Sequence, residues 1–169
     1  MAFDAYLFIK TVEGESAATI EKPTGMDKPP MDVISFSFGA SNPTNLAAGG
    51  SGAGKVSVSS LNIMKKTDNA SPVLFQQCCQ GKHFEGAALV LRKSGGNDNP
   101  DVFLTYELKQ VYIESIQWSG SSGGDDVPTE SLSLAFAEIN ITNFVQDKDG
   151  KMKKGNGAGY NVKTVAKLK

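Results

Sequence analysis

The sequence predicts a mainly β fold, a barrel or sandwich of about seven or eight strands accompanied by one helix. Three observations predict it. Apolar and polar residues alternate over short runs, as where Ile34, Phe36 and Phe38 face one way and Ser35 and Ser37 the other, which is the period of a half-buried strand. Connections rich in glycine, proline, asparagine and aspartate separate these runs. Helix signals gather at one stretch, Ser71 to Gly81. At 169 residues the chain fits a single domain, 1–169, able to bury about 70% of its unfolded surface in one core.

Taken in order, Ala5 to Lys10 is a short first strand carrying Tyr6, Phe8 and Ile9, and the polar loop from Glu13 to Pro30 is broken by Pro23, Gly25, Pro29 and Pro30. Asp32 to Gly39 is the second strand. An extended arm follows, Ser41 to Gly54, made largely of small residues that pack close to another backbone while burying little apolar area. A stretch of this length without regular structure is uncommon in a compact domain and is usually functional. It reads either as a surface loop or as an arm ordered by a second subunit.

The arm leads into a strand in which Val56 and Val58 alternate with Ser57 and Ser59 before Leu61 and Ile63 change phase. A one-residue bulge at Ser59 and Ser60 would put all four apolar side chains on one face. The same slip recurs where Leu132, Leu134 and Phe136 give way to Ile139 and Ile141 across Ala137 and Glu138. Two long bent strands point to a sheet curling toward closure. Between them, Ser71 is placed to cap the helix, Pro72 suits its first turn and Gly81 its end. Leu74 with Cys78 and Phe75 with Cys79 then form one core-facing stripe.

Glu85 to Arg92 is apolar on both faces, Ala87, Leu89 and Leu91 against Ala88 and Val90, so it is expected to be covered on both sides, by the helix or by another subunit. Asp98 to Asp101 turns into Val102 to Leu108, and Val111 to Ser119 continues after a slight interruption at Lys109 and Gln110. Gly120, Ser121, Ser122, Gly123 and Gly124 make a second glycine-rich connection, and Thr129 to Val145 is the last long strand. A polar tail occupies 147–169, with weak edge pairing expected from Tyr160 to Val165.

Composition excludes several functions. The 17 basic residues nearly balance the 18 acidic ones, so no global field draws the chain to nucleic acid or to an anionic membrane. No apolar run is long enough to span a bilayer. The N-terminus lacks a basic start and a small-residue cleavage site and is not a Sec-type signal; synthesis in the cytoplasm is the expectation. Cys78 and Cys79 are adjacent, against normal disulfide geometry, and read as reduced packing residues.

Catalytic patterns fail on their spacing. Gly49, Gly54 and Lys55 imitate a phosphate-binding loop, but Val56 stands where a magnesium-binding hydroxyl belongs, and a strand follows in place of a helix. His83 is the single histidine; with Cys78 and Cys79 it leaves a structural zinc site short of ligands. Asp147, Asp149 and Gly150 hint at a calcium loop, yet Val145 and Asn156 would occupy its carboxylate positions. Asp125 and Asp126 read as solvated turn acids. Asn69-Ala70-Ser71 and Asn140-Ile141-Thr142 match the glycosylation pattern by chance. Trp118, Tyr112 and Phe103 could line a ligand groove, though alternating aromatics on a strand are more often core. No cofactor, metal or catalytic set emerges.

The chain resembles the Hcp family, the haemolysin-coregulated tube proteins of bacterial type VI secretion. The resemblance rests on Ala5-Tyr6-Leu7-Phe8-Ile9-Lys10 with Gly14-Glu15-Ser16, on Phe36-Ser37-Phe38-Gly39 and on Gly49 through Val56. It continues with Ser71-Pro72, Cys78 or Cys79, Gly81-Lys82-His83, Leu89, Arg92-Lys93 and Gly95-Gly96. Gly120 to Asp125, Thr129-Glu130, Leu132, Leu134, Ala135-Phe136-Ala137 and Gly159-Tyr160-Asn161-Val162 complete it, over nearly the whole chain and in order. The loop from Ala17 to Pro30 looks longer than usual and Asn97 to Pro100 is no family hallmark, departures that bear on loop contacts and not on the fold.

The resemblance implies an antiparallel β-barrel with a flanking helix, assembling as a homo-hexameric ring. Rings would stack into a tube driven out by a contractile sheath under a spike, with small effectors in the lumen. The protein itself would be exported without a Sec-type signal. The arm would touch the neighbouring protomer through Asn45, Leu46, Ala47, Ala48, Gly49, Gly50, Ser51, Gly52, Ala53, Gly54 and Lys55, and Lys55 and Lys151 would tune stacking. Ring closure also covers exposed strand edges. The alternative is a monomeric β-barrel binding a sugar or small ligand in its mouth, in a cavity lined by Trp118 or Tyr112.

Overall fold

The structure, a computed structural model, describes residues 3–45, 52–93, 101–124 and 126–168. In chain order its elements are β1 (Phe3–Ile9), β2 (Met31–Ser37), β3 (Ala40–Ser41), β4 (Thr44–Asn45), β5 (Gly52–Ala53), β6 (Ser57–Val58), β7 (Leu61–Lys66), α1 (Ser71–Gln80), β8 (His83–Lys93), β9 (Val102–Ser119), β10 (Thr129–Gln146), β11 (Met152–Asn161) and β12 (Ala166–Lys167). Hydrogen bonding runs β10-β7-β2-β1-β8-β9, and β9 pairs back onto β10. Six antiparallel strands therefore close into a barrel, the fold class the sequence predicts. β11 and β12 extend outward from the later half of β10.

Closure depends on irregularities in the two 18-residue strands. Gln110 has φ of 49°, which lets Leu108 and Val111, three positions apart, both enter the core. Glu114 has no opposite residue where the register shifts between Ser133 and Leu134. An extra residue on one strand bends it and increases its twist. The phase change expected at Ala137 and Glu138 is present as burial, since Leu134, Ala137 and Ile139 are all buried. Its cause differs from the expected bulge: β10 keeps one register against β9 from Leu134 to Asn143, and the kink lies across the ladder at Gln110.

Leu7, Leu61, Ile63, Leu89, Leu132 and Leu134 fill the barrel and are at most 1% exposed, each burial being worth about 1.5–3 kcal/mol. β8 is covered on both faces, as its composition requires, but neither the helix nor a second subunit covers the outer one. The chain's own residues 10–30 lie over Tyr6, Phe8, Ala88 and Val90, with Ala18, Ile20 and Met26 packed against them. Arg92 fastens this strap: its Nη1 donates to the Thr19 carbonyl at 3.2 Å, its Nη2 to the Tyr6 hydroxyl at 2.6 Å, and Nε faces Asp4. Burial pushes the Tyr6 phenol pKa up, against the pull of Arg92.

Several local expectations are corrected. In β2 a register shift between Val33 and Ser35 turns Ile34 outward, 54% exposed, while Val33, Phe36 and Phe38 pack on the core. At Ser59 and Ser60 the strand does not bulge but ends: β6 leaves the barrel to pair with β3, and β7 begins at Leu61. Ser71 lies inside α1, its hydroxyl accepting from the Asp68 N–H at 3.0 Å, so it is not the cap. Gly81 ends the helix in the left-handed region at φ 62°, where L residues with a Cβ are strained. Only the Leu74 and Cys78 half of the expected stripe packs on the core; Phe75 and Cys79 are exposed. The tail holds a ten-residue strand, β11, earlier and longer than the edge pairing expected at Tyr160 to Val165. Asp147 to Lys151 is a tight turn in which the Asp147 carboxylate accepts from the N–H groups of Asp149 and Lys151 and pairs with Lys153 at 2.9 Å.

Candidate assembly interface

Strand direction sorts the connections into two ends. The arm between β2 and β7 and the turn between β10 and β11 lie at one end; α1, the 10–30 strap and the β9–β10 connection lie at the other. At the arm end, Ser59 N–H donates to the Gly39 carbonyl and Gly39 N–H to the Ser59 hydroxyl, both at 2.9 Å. This clamp sets the two limbs antiparallel. Ala40 and Ser41 then pair with Val58 and Ser57, and Thr44 and Asn45 with Ala53 and Gly52. Gly54 N–H donates to the Pro43 carbonyl at 3.1 Å. A Cβ on Gly54 would stand 2.3 Å from that oxygen, so the approach requires glycine.

Of the arm residues proposed as contacts, Asn45 is in β4, Gly52 and Ala53 form β5, and Gly54 and Lys55 lie on the return limb, Lys55 exposed. Leu46, Ala47, Ala48, Gly49, Gly50 and Ser51 lie outside the described residues. Ala40, Ser41, Asn42 and Pro43 are exposed. The limbs are joined by backbone hydrogen bonds in two-stranded ladders separate from the barrel sheet, and an isolated two-stranded hairpin is at best marginally stable in water.

The opposite end is built from buried charge. Lys65, fully buried, pairs with Glu130 at 2.9 Å and Asp68 at 2.7 Å, and its Nζ donates to the Lys66 carbonyl at 2.9 Å. Glu130, 1% exposed, also accepts from Trp118 Nε1 at 2.8 Å. The network ties β7, β9, β10 and the start of α1. Trp118 itself is 43% exposed, with the Phe75 ring against it at 5.7 Å. The three aromatics considered as one groove are dispersed: Phe103 packs on the core and Tyr112 faces the His83 ring at 5.4 Å.

Sequence reasoning passed over Lys65, Asp68 and Glu130. The signal was available, because Lys65 continues the inward phase of Leu61 and Ile63, and Glu130 precedes Leu132 and Leu134 in phase. Opposite charges at core-facing positions of two strands invite pairing.

Two further ionic contacts lie at the surface, Lys10 with Glu85 and Lys109 with Glu138. Lys10 holds the Glu85 carboxyl below its ordinary pKa, chiefly through a hydrogen bond, and Lys109 does the same for Glu138. Among the described residues no three His, Cys, Asp or Glu side chains gather as a metal site, and no helix is long and apolar enough to cross a membrane.

Residues 6–142 match the family described as type VI secretion system effector, Hcp. The chain belongs to the Hcp family. It is 38% identical over 96 residues to protein hcp1 of Pseudomonas aeruginosa, an alignment covering 57% of this chain and 58% of that relative, less than two thirds of its length. Two solved structures are similar over 99% of this chain and 100% of theirs. One, described as a type six secretion system protein, has a TM-score of 0.85 at 32% identity. The other, Hcp1 from Salmonella typhimurium, has a TM-score of 0.72 at 29% identity. An Hcp role in type VI secretion follows.

Proposed function

We propose that this protein is a passive structural subunit: six copies close a ring, and rings stack into the inner tube of a type VI apparatus. A contractile sheath drives the tube outward under a spike, small effectors ride in its lumen, and the subunit leaves the cell with them. The observation that carries the reading is the arm, whose described limbs pair with each other in two-stranded ladders outside the barrel sheet. A second copy supplies a packing surface, and a head-to-tail contact that closes on itself makes a ring. A ligand cavity inside the barrel is disfavoured, because Leu7, Leu61, Ile63, Leu89, Leu132 and Leu134 fill that space.

Native mass spectrometry tests the reading. The full chain is expected at six times its 17.9 kDa mass, and a chain lacking Ala47 to Gly54 as a folded species of lower order. A full ring from the deleted chain would remove the arm from the interface, and a monomer at every concentration of the full chain would end the ring proposal.

A further inference from the structure

The cavity where β9 turns into β10 lies at the end of the barrel opposite the arm. We propose that it is a carbohydrate-binding subsite with the Trp118 indole as its platform.

The indole is large, exposed and fixed. Its Nε1–H is bonded to Glu130, a buried carboxylate that Lys65 holds in turn. Phe75 packs against it from α1 at an interplanar angle of 61°. Rotating the ring would break a hydrogen bond to a buried charge, so the aromatic surface is set in place before any ligand arrives. The cleft beside it is open to solvent and has a volume of about 930 Å³. Its rim is tied by Gly124 N–H to the Ser121 carbonyl at 3.1 Å and by Thr67 N–H to the Pro128 carbonyl at 2.9 Å.

The lining selects the ligand class. Ser121, Ser122 and Asp126 supply hydroxyls and a carboxylate; Ser119 and Thr129 hydroxyls are already bonded to one another at 3.1 Å. Among the described residues no cation lines the cavity, and Asp126 repels phosphate. A purely apolar ligand would desolvate the hydroxyls without partners. A pyranose satisfies both parts: its polarised C–H groups pack on the negative π face, and its peripheral hydroxyls both donate to Asp126 and exchange hydrogen bonds with Ser121 and Ser122.

Trp118 is the sole tryptophan, so its emission reports this site alone, in whatever oligomer the protein forms. The full chain is titrated with cellotetraose and chitotetraose. A saturable change in emission with either sugar, together with sugar-dependent shielding of Trp118 from acrylamide, is expected. The double variant Ser121→Ala, Ser122→Ala, altered only at exposed loop positions, should bind about ten-fold more weakly, as the loss of two hydrogen bonds implies. Calorimetry on Trp118→Ala should show no saturable heat. Absence of saturation with both sugars at millimolar concentration overturns the proposal, as does wild-type affinity in the double variant. So does a Trp118 already shielded without sugar and exposed only on dissociation into monomers, which would make this face a contact between copies.

Discussion

The two ends of the barrel are stabilised in opposite ways. At the helix end three charged side chains, a serine and an indole converge on one buried point, and every element there is tied to at least one other. At the arm end the described limbs are held by backbone ladders and by the Gly39 and Ser59 clamp, in which the Ser59 hydroxyl accepts from Gly39 N–H. Under the proposed ring assembly, the difference separates what the subunit needs in order to fold from what it would present to a neighbour. Closure of six strands and the Lys65 network are internal to one chain, whereas the described limbs of the arm form ladders separate from the barrel sheet.

The comparison is broken most severely at Lys65. Lys65→Ala leaves Glu130 and Asp68 without their shared cation, and urea denaturation should show a loss of about 3–5 kcal/mol. Lys65→Met combined with Glu130→Leu should recover part of it, since an apolar pair replaces a buried ion pair at little cost while Asp68 and the Trp118 Nε1–H still lose their partners. Trp118→Phe removes only the indole donor to Glu130. Its expected loss is about 1–3 kcal/mol, and a wild-type midpoint would show that the bond does not anchor the indole.

Deletion of Ala47 to Gly54 sharpens the contrast from the other side. Measured on dissociated subunits, barrel stability should change by no more than about 0.5 kcal/mol, the range of surface substitutions, even as the ring is lost. The smallest effect is at the β10–β11 turn. The Asp147 carboxyl is held below the ordinary 3.8, first by its hydrogen bond to Lys153 and then by the Lys151 and Asp149 N–H groups. With the folded value depressed, its stabilisation is present above 3.8 and fades as pH falls through that lower value. In Lys153→Ala, carbon-detected NMR should find this carboxyl titrating closer to 3.8; an unchanged titration would assign the depression to the backbone donors.

Much of the fold was legible because barrel strands carry a period that burial imposes. Leu61 and Ile63, Leu132 and Leu134, and the doubly apolar run from Ala87 to Leu91 mark inward and outward faces without reference to anything distant. Proline and glycine at the ends of α1 did the same for the one helix. Arm length and composition marked the stretch that departs from the barrel, but its path from β3 to β6 depends on the Gly39 and Ser59 clamp, which joins residues 20 apart. Ile34 was misplaced because the register shift in β2 is decided by pairing with β7, not by its own alternation.

What the sequence by itself determined is the mainly β class, the position of the helix, the arm and the kinship with Hcp proteins, all of which rest on local periodicity or on motifs in linear order. Only the tertiary structure decided what covers the second face of β8, where Lys65 finds its counter-ions and why Trp118 stands in water. Those answers depend on residues far apart in the chain, and an interaction between distant groups has no period to read until closure of the strands brings them together.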